Sequence, residues 1–203
     1  MNIQKMLYGS GRNLVILVGE EEAEPIAEKL EDCALLSLSG FDWNDMLSPW
    51  PAEKIFKKGA DFGGHADELV TVLETEIVPQ VREQLDPERL IIAGYSLAGL
   101  FSLYAATKTD VFDACASVSG SLWYPGFDAY LKDHPVHCGK IYLSLGDAEK
   151  KTKNPVMSQV EAKTREAADL LSAGAEVIFE MNPGGHFNEP DKRIIKAIKA
   201  LTE

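Results

Sequence analysis

The chain has 203 residues, 45% of them apolar, enough for one domain with a substantial buried core. Against 20 basic side chains stand 32 acidic ones, and the net charge of −12 argues against nucleic acid or an anionic membrane as a partner. Cys33, Cys115 and Cys138 are odd in number and lack metal-ligand spacing, no apolar run approaches the ~20 residues of a membrane span, and Met1 to Lys5 open no signal-peptide core, so the expectation is a cytoplasmic protein with reduced, buried thiols and no metal.

In chain order, residues 1–12 hold a short mixed segment and the Gly9-Ser10-Gly11 turn, a candidate edge strand. Residues 13–19, with Leu14, Val15, Ile16, Leu17 and Val18, predict a buried strand. Residues 20–32 are acidic at their start, carry Pro25 near the first turn and space Ile26, Ala27 and Leu30 as a helix does. A second strand is expected at 33–38. Residues 39–64 break the alternation with Trp43, Pro49, Trp50, Pro51, Gly63 and Gly64. That is long for a plain connection, so a functional loop or a short helix is expected, its aromatics either lining a pocket or packing the loop onto the core.

Leu69, Val70, Leu73, Ile77, Val81 and Leu85 recur every three or four residues and predict an amphipathic helix over 66–85, kinked by Pro79. Leu90, Ile91, Ile92 and Ala93 then predict a buried strand, and the segment after Ser96 (Leu97, Ala98, Leu100, Phe101, Leu103, Tyr104, Ala105) is apolar all round, as a buried helix is. Further strands are expected at 112–120, 141–146 and 176–181. A helix capped by Asn154 and Pro155 is expected to end at Gly174, and a last helix to follow Pro190. Strands alternating with helices predict an α/β fold: a three-layer α/β/α sandwich on a mostly parallel sheet. Sites in such sheets lie beyond the carboxyl ends of the strands.

At one such end, Gly94-Tyr95-Ser96-Leu97-Ala98 fits the nucleophile elbow G-x-S-x-G of α/β-hydrolases, with Ala in the last place and Gly99 one later. A serine hydroxyl needs a base to take its proton, and the base needs a third group to orient it. His65, His134 and His137 do not follow a predicted strand directly, whereas His186 does, behind Gly184 and Gly185. The acid is expected after the strand ending at Gly146, where Glu149 and Asp147 both qualify. Glu149 is favoured, three residues past the glycine, while Asp147 suits a turn; Asp128 or a Ser–His dyad remain as alternatives. Backbone N–H groups for a developing oxyanion are expected from Leu97 and from Gly19 or Glu20, the latter preferred. Trp43, Tyr95 and Trp123 are candidate substrate contacts.

The elbow, residues 119–126 (Ser119, Gly120, Ser121, Leu122, Trp123, Tyr124, Pro125, Gly126) and Gly184-Gly185-His186 together resemble the esterases of the α/β-hydrolase superfamily that include esterase D-like, feruloyl and siderophore esterases. The resemblance runs from about residue 13 onward. It implies a minimal α/β-hydrolase domain over 1–203, without a lid domain and without the first antiparallel strands, that hydrolyses a small-molecule ester through its serine without metal or cofactor. Two other readings remain: an acyltransferase using the same acyl-enzyme, and a ligand-binding protein of hydrolase fold. The oligomeric state is not legible.

Overall fold

The computed structural model describes residues 3–20, 22–55 and 59–203, and in it the apolar runs become the strands of one sheet. The strands are β1 (Gln4–Ser10), β2 (Asn13–Val18), β3 (Cys33–Ser39), β4 (Arg89–Tyr95), β5 (Ala114–Val118), β6 (Lys140–Gly146) and β7 (Glu176–Asn182). Their order across the sheet is β1-β3-β2-β4-β5-β6-β7. From β3 to β7 all pairings are parallel.

Burial on both faces explains why β2 and β4 read as continuous apolar runs. Leu14, Ile16, Val18, Leu90 and Ile92 point into one core, and Val15, Leu17, Ile91 and Ala93 into the other. Each of the Leu, Ile and Val side chains contributes roughly 1.5–3 kcal/mol by leaving water. The first core lies under α3 (Ala66–Val72), α4 (Val78–Leu85), α5 (Leu97–Lys108), α6 (Phe127–Asp133) and α7 (Val160–Leu171). The second lies under α1 (Glu24–Ala27) and α8 (Pro190–Thr202), while α2 (Trp43–Met46), in the long connection after β3, sends Met46 into the first. Helix α5 is buried from Leu97 to Thr107, which accounts for its apolar character all round.

Four details differ from the sequence reading. An antiparallel strand is present after all: β1 pairs in reverse with β3, Gln4 opposite Ser39. The helix expected over 20–32 shrinks to Glu24–Ala27, a single turn in which Ile26 is the buried side chain. Helix α6 was not anticipated, although Phe127 and Leu131 stand four apart and are both buried. The helical run over 66–85 is interrupted by a π-turn at Leu73–Ile77, upstream of Pro79. Pro79 has no N–H for the carbonyl one turn back, and the Thr71 and Thr75 hydroxyls donate to the carbonyls of Asp67 and Thr71, so the widened turn absorbs both strains.

Candidate active site

Strand β4 delivers Ser96 to the sheet's carboxyl edge in a sharp turn, with φ 60° and ψ −120°. A residue with a side chain holds such a backbone only when its surroundings fix it. Here the Ser96 N–H donates to the Val118 carbonyl (3.0 Å), and the Ser96 carbonyl accepts from the N–H groups of Ser121 (2.9 Å) and Leu100 (3.1 Å). Space is equally constrained. A Cβ on Gly94 would lie 2.3 Å from the Ala98 carbonyl oxygen, so glycine is required there. The methyl of Ala98, in the place of the motif's last glycine, is accommodated because both of its facing residues, Gly94 and Gly19, lack a side chain.

His186 comes from the loop between β7 and α8. Gly184, at φ 94°, turns the chain, and its N–H donates to Asp147 Oδ1 (2.9 Å). The neighbouring Gly185 N–H donates to Asn188 Oδ1 (2.7 Å). The Ala148 N–H donates to the Gly184 carbonyl (3.0 Å), so the loops after β6 and β7 are laced together. This brings Glu149 to His186: His186 Nδ1 is 2.7 Å from Glu149 Oε2, and His186 Nε2 is 3.0 Å from Ser96 Oγ. Asp147 instead holds the loop backbone, and Asp128 pairs with Lys163 at 2.6 Å.

The Glu149 side chain is 4% exposed. Its Oε1 accepts from the Gly146 N–H (2.7 Å), the Ser119 hydroxyl (2.8 Å) and Arg193 Nη1 (3.1 Å). Burial pushes its carboxyl up, but hydrogen bonds from His186, the Gly146 N–H and Ser119 more than offset this and hold it below the usual carboxylate range. Glu149 is therefore ionised at neutral pH, and a carboxylate on Nδ1 leaves Nε2 as the acceptor facing Ser96.

Ser96 and His186 open into a cavity of about 500 Å³ lined mainly by Trp43, Phe62, Tyr95, Leu97, Trp123, Met157 and Phe187, with Glu20, Lys54 and Ser121 as polar members. Of the two candidate backbone donors just past β2, Gly19 gives its N–H to the Leu38 carbonyl (2.8 Å), while Glu20 borders the cavity. Leu97 is the first residue of α5, so its N–H has no carbonyl one turn back. Trp43 lies against Gly19, and Trp123 packs on Phe62 at 6.3 Å between ring centroids; each does so while facing the cavity. Trp50 is a packing residue, in contact with Tyr124, Phe127 and Tyr130. The Tyr95 ring lines the cavity, but its hydroxyl is committed to the His186 carbonyl.

His65 pairs with Asp45 (2.6 Å) outside the cavity lining. His134 stacks on Tyr130, and the His137 N–H binds the Ala106 carbonyl. Sequence reasoning missed Ser121, whose Oγ is 3.5 Å from Ser96 Oγ, Phe187, 91% exposed beside His186, and Arg193. Arg193 did leave a signal: it shares the apolar stripe of α8 with Ala197 and Leu201, at four-residue spacing. Among the described residues there is no group of three metal-ligating side chains, and no helix is long and apolar enough to cross a membrane.

With this geometry in view, the similarities to known proteins are specific. The ferri-bacillibactin esterase BesA of Bacillus subtilis (strain 168) is 25% identical over 198 residues, which cover 92% of this chain and 66% of that protein. The uncharacterized protein YbbA of the same organism is 25% identical over 151 residues, 71% of this chain and 60% of that one. The chain thus spans less than two thirds of the length of these curated relatives. The crystal structure of an IroE-like serine hydrolase from Shewanella oneidensis shares the fold, with a TM-score of 0.78 at 16% identity over 95% of this chain and 70% of that one. A family model described as "Putative esterase" matches residues 19–189. Because that match runs from the end of β2 to the residue before α8 and takes in both the serine elbow and the histidine loop, the chain belongs to this esterase family.

Proposed function

We propose that the protein is a serine-dependent carboxylic ester hydrolase acting on a small-molecule ester through an acyl-enzyme. The observation that carries this is the unbroken line from Ser96 Oγ through His186 to Glu149, at 3.0 and 2.7 Å, opening into an apolar cavity. His186 Nε2 takes the proton as Ser96 Oγ bonds to the acyl carbon, and Glu149 stabilises the imidazolium that forms. The N–H groups of Leu97 and Glu20 receive the oxyanion. Collapse expels the alcohol, protonated by His186. Water, deprotonated by the same nitrogen, then attacks the acyl carbon and frees Ser96 and the acid. The apolar walls contributed by Trp43, Phe62 and Trp123 favour an ester with a bulky apolar or aromatic part. The name of the BesA relative makes ferric siderophore esters a sensible part of any substrate panel. Location in the cytoplasm is the reading that three free, buried cysteines support.

The test is covalent labelling with a fluorophosphonate, followed by a screen of aryl, acyl and siderophore esters. Ser96 takes the label, and Ser96→Ala, folded to the same melting temperature, loses both labelling and turnover. Wild-type rates in Ser96→Ala would remove the esterase reading.

A further inference from the structure

Helix α8 sends one charged side chain into the interior. Arg193 is 3% exposed, and a buried guanidinium is tolerated only when its protons are met. Nη1 lies 3.0 Å from Ser119 Oγ, 3.1 Å from Glu149 Oε1 and 3.3 Å from the Tyr95 hydroxyl. Nη2 donates to the carbonyls of Pro183 and Gly185, each at 3.0 Å. The acceptors come from the end of β4, from just past β5, and from the loops after β6 and β7. These segments carry or adjoin Ser96, Glu149 and His186. Room for the guanidinium is built in, since a Cβ on Gly146 would lie 3.0 Å from both Nη atoms.

We propose that Arg193 is a positioning residue with two separable effects: its planar fork clamps the loop that carries His186, and its charge moderates the hold of Glu149 on the His186 imidazolium. The inference rests on the esterase reading above. A carboxylate beside an imidazole favours the protonated ring, and a ring already protonated cannot serve as a base. Arg193 places a full cation on the oxygen of Glu149 that does not face the ring, and cancels part of that field. Loss of Arg193 leaves the Gly146 N–H and the Ser119 hydroxyl on Glu149 Oε1, so the carboxylate stays ionised and its pull on His186 grows. The other titratable and charged groups near the pair remain in place: Asp147 on the Gly184 N–H, Tyr95 on the His186 carbonyl, and Glu20 and Lys54 at the cavity wall.

The experiment measures the rate of fluorophosphonate labelling of Ser96 against pH in wild type, Arg193→Met and Arg193→Lys, together with the pH titration of the His186 ring protons by NMR. In Arg193→Met the acid limb of the labelling profile moves up by about one pH unit, and the ring-proton titration moves with it. Arg193→Lys keeps the charge and loses the fork, so its limb stays within about 0.3 pH unit of wild type while its plateau rate falls by roughly tenfold. Should Arg193→Met not fold, Arg193→Gln, neutral but still a hydrogen-bond donor, takes its place in the comparison. An unmoved or lowered limb in the neutral variant, or an equal displacement in Arg193→Lys, overturns the proposal. A wild-type protein that is not labelled at Ser96 sinks the esterase reading instead, and the NMR titration still decides the effect of Arg193.

Discussion

Replacing Glu149 by Gln removes one charge at nearly constant shape, and the structure dictates how the amide settles. Three donors converge on Glu149 Oε1: the Gly146 N–H, the Ser119 hydroxyl and Arg193 Nη1. The amide oxygen must take that place, because an NH₂ there would face three donors. The NH₂ then faces His186 Nδ1, which becomes an acceptor, and the ring proton moves to Nε2. A protonated Nε2 cannot take the proton of Ser96, so the base is held in the wrong tautomer and also loses the charge that stabilises its cation. Loss of the triad acid in serine hydrolases lowers kcat by about 10⁴, equivalent to about 5.5 kcal/mol. For Glu149→Gln we expect a fall of this order in the hydrolysis of an aryl acetate followed by phenolate absorbance, with KM little changed. Asp147→Asn is the control. Its Oδ1 accepts only the Gly184 N–H among the bonds described, which an amide oxygen does equally well. That variant should keep kcat within a few-fold and cost at most about 1 kcal/mol of stability. A kcat in Glu149→Gln within tenfold of wild type, or a larger loss in Asp147→Asn, would refute the assignment of the acid.

Two further outcomes are expected. Trp43→Ala and Trp123→Ala should each raise KM for bulky aryl esters by roughly tenfold while leaving acetate esters near wild type, since each removes apolar wall worth about 1.4 kcal/mol to a ligand that fills it; an equal loss on all esters with a lowered melting temperature would mark them as packing residues. Because Glu149 is held below the usual carboxylate range, its contribution to stability is present above that range and fades as pH falls through the folded value. The melting temperature of wild type should therefore drop more steeply than that of Glu149→Gln as pH falls through and below the usual carboxylate range, and parallel curves would count against an ionised, hydrogen-bonded Glu149.

Local order in the chain determined a great deal. Branched apolar runs at 13–19 and 89–95 read as strands covered on both faces, and their alternation with helical segments points to a parallel sheet with helices above and below. Tight chemistry at Gly94, Ser96 and Gly184 is legible because such backbones tolerate few residues, and chain order then proposed His186 as the base and either Glu149 or Asp147 as the acid, with Glu149 favoured by its spacing from Gly146. The sequence also left questions that only packing answers. The pairing of β1 with β3 depends on hydrogen bonds between segments about 30 positions apart, and nothing within Gln4–Ser10 encodes its direction. Glu149 and Asp147 stand two residues apart and differ by one methylene, yet one meets the histidine and the other ties down a loop backbone, because the lacing of the loops after β6 and β7 sets where each side chain points. The Gly19 N–H is likewise taken by the Leu38 carbonyl, a bond across two strands that nothing in the local sequence encodes. Arg193 lies 44 residues from Glu149 and on the apolar stripe of its own helix. Its meaning appears only when four separate segments bring their acceptors to one point, because a buried charge is specified by the partners around it and not by its neighbours in the chain.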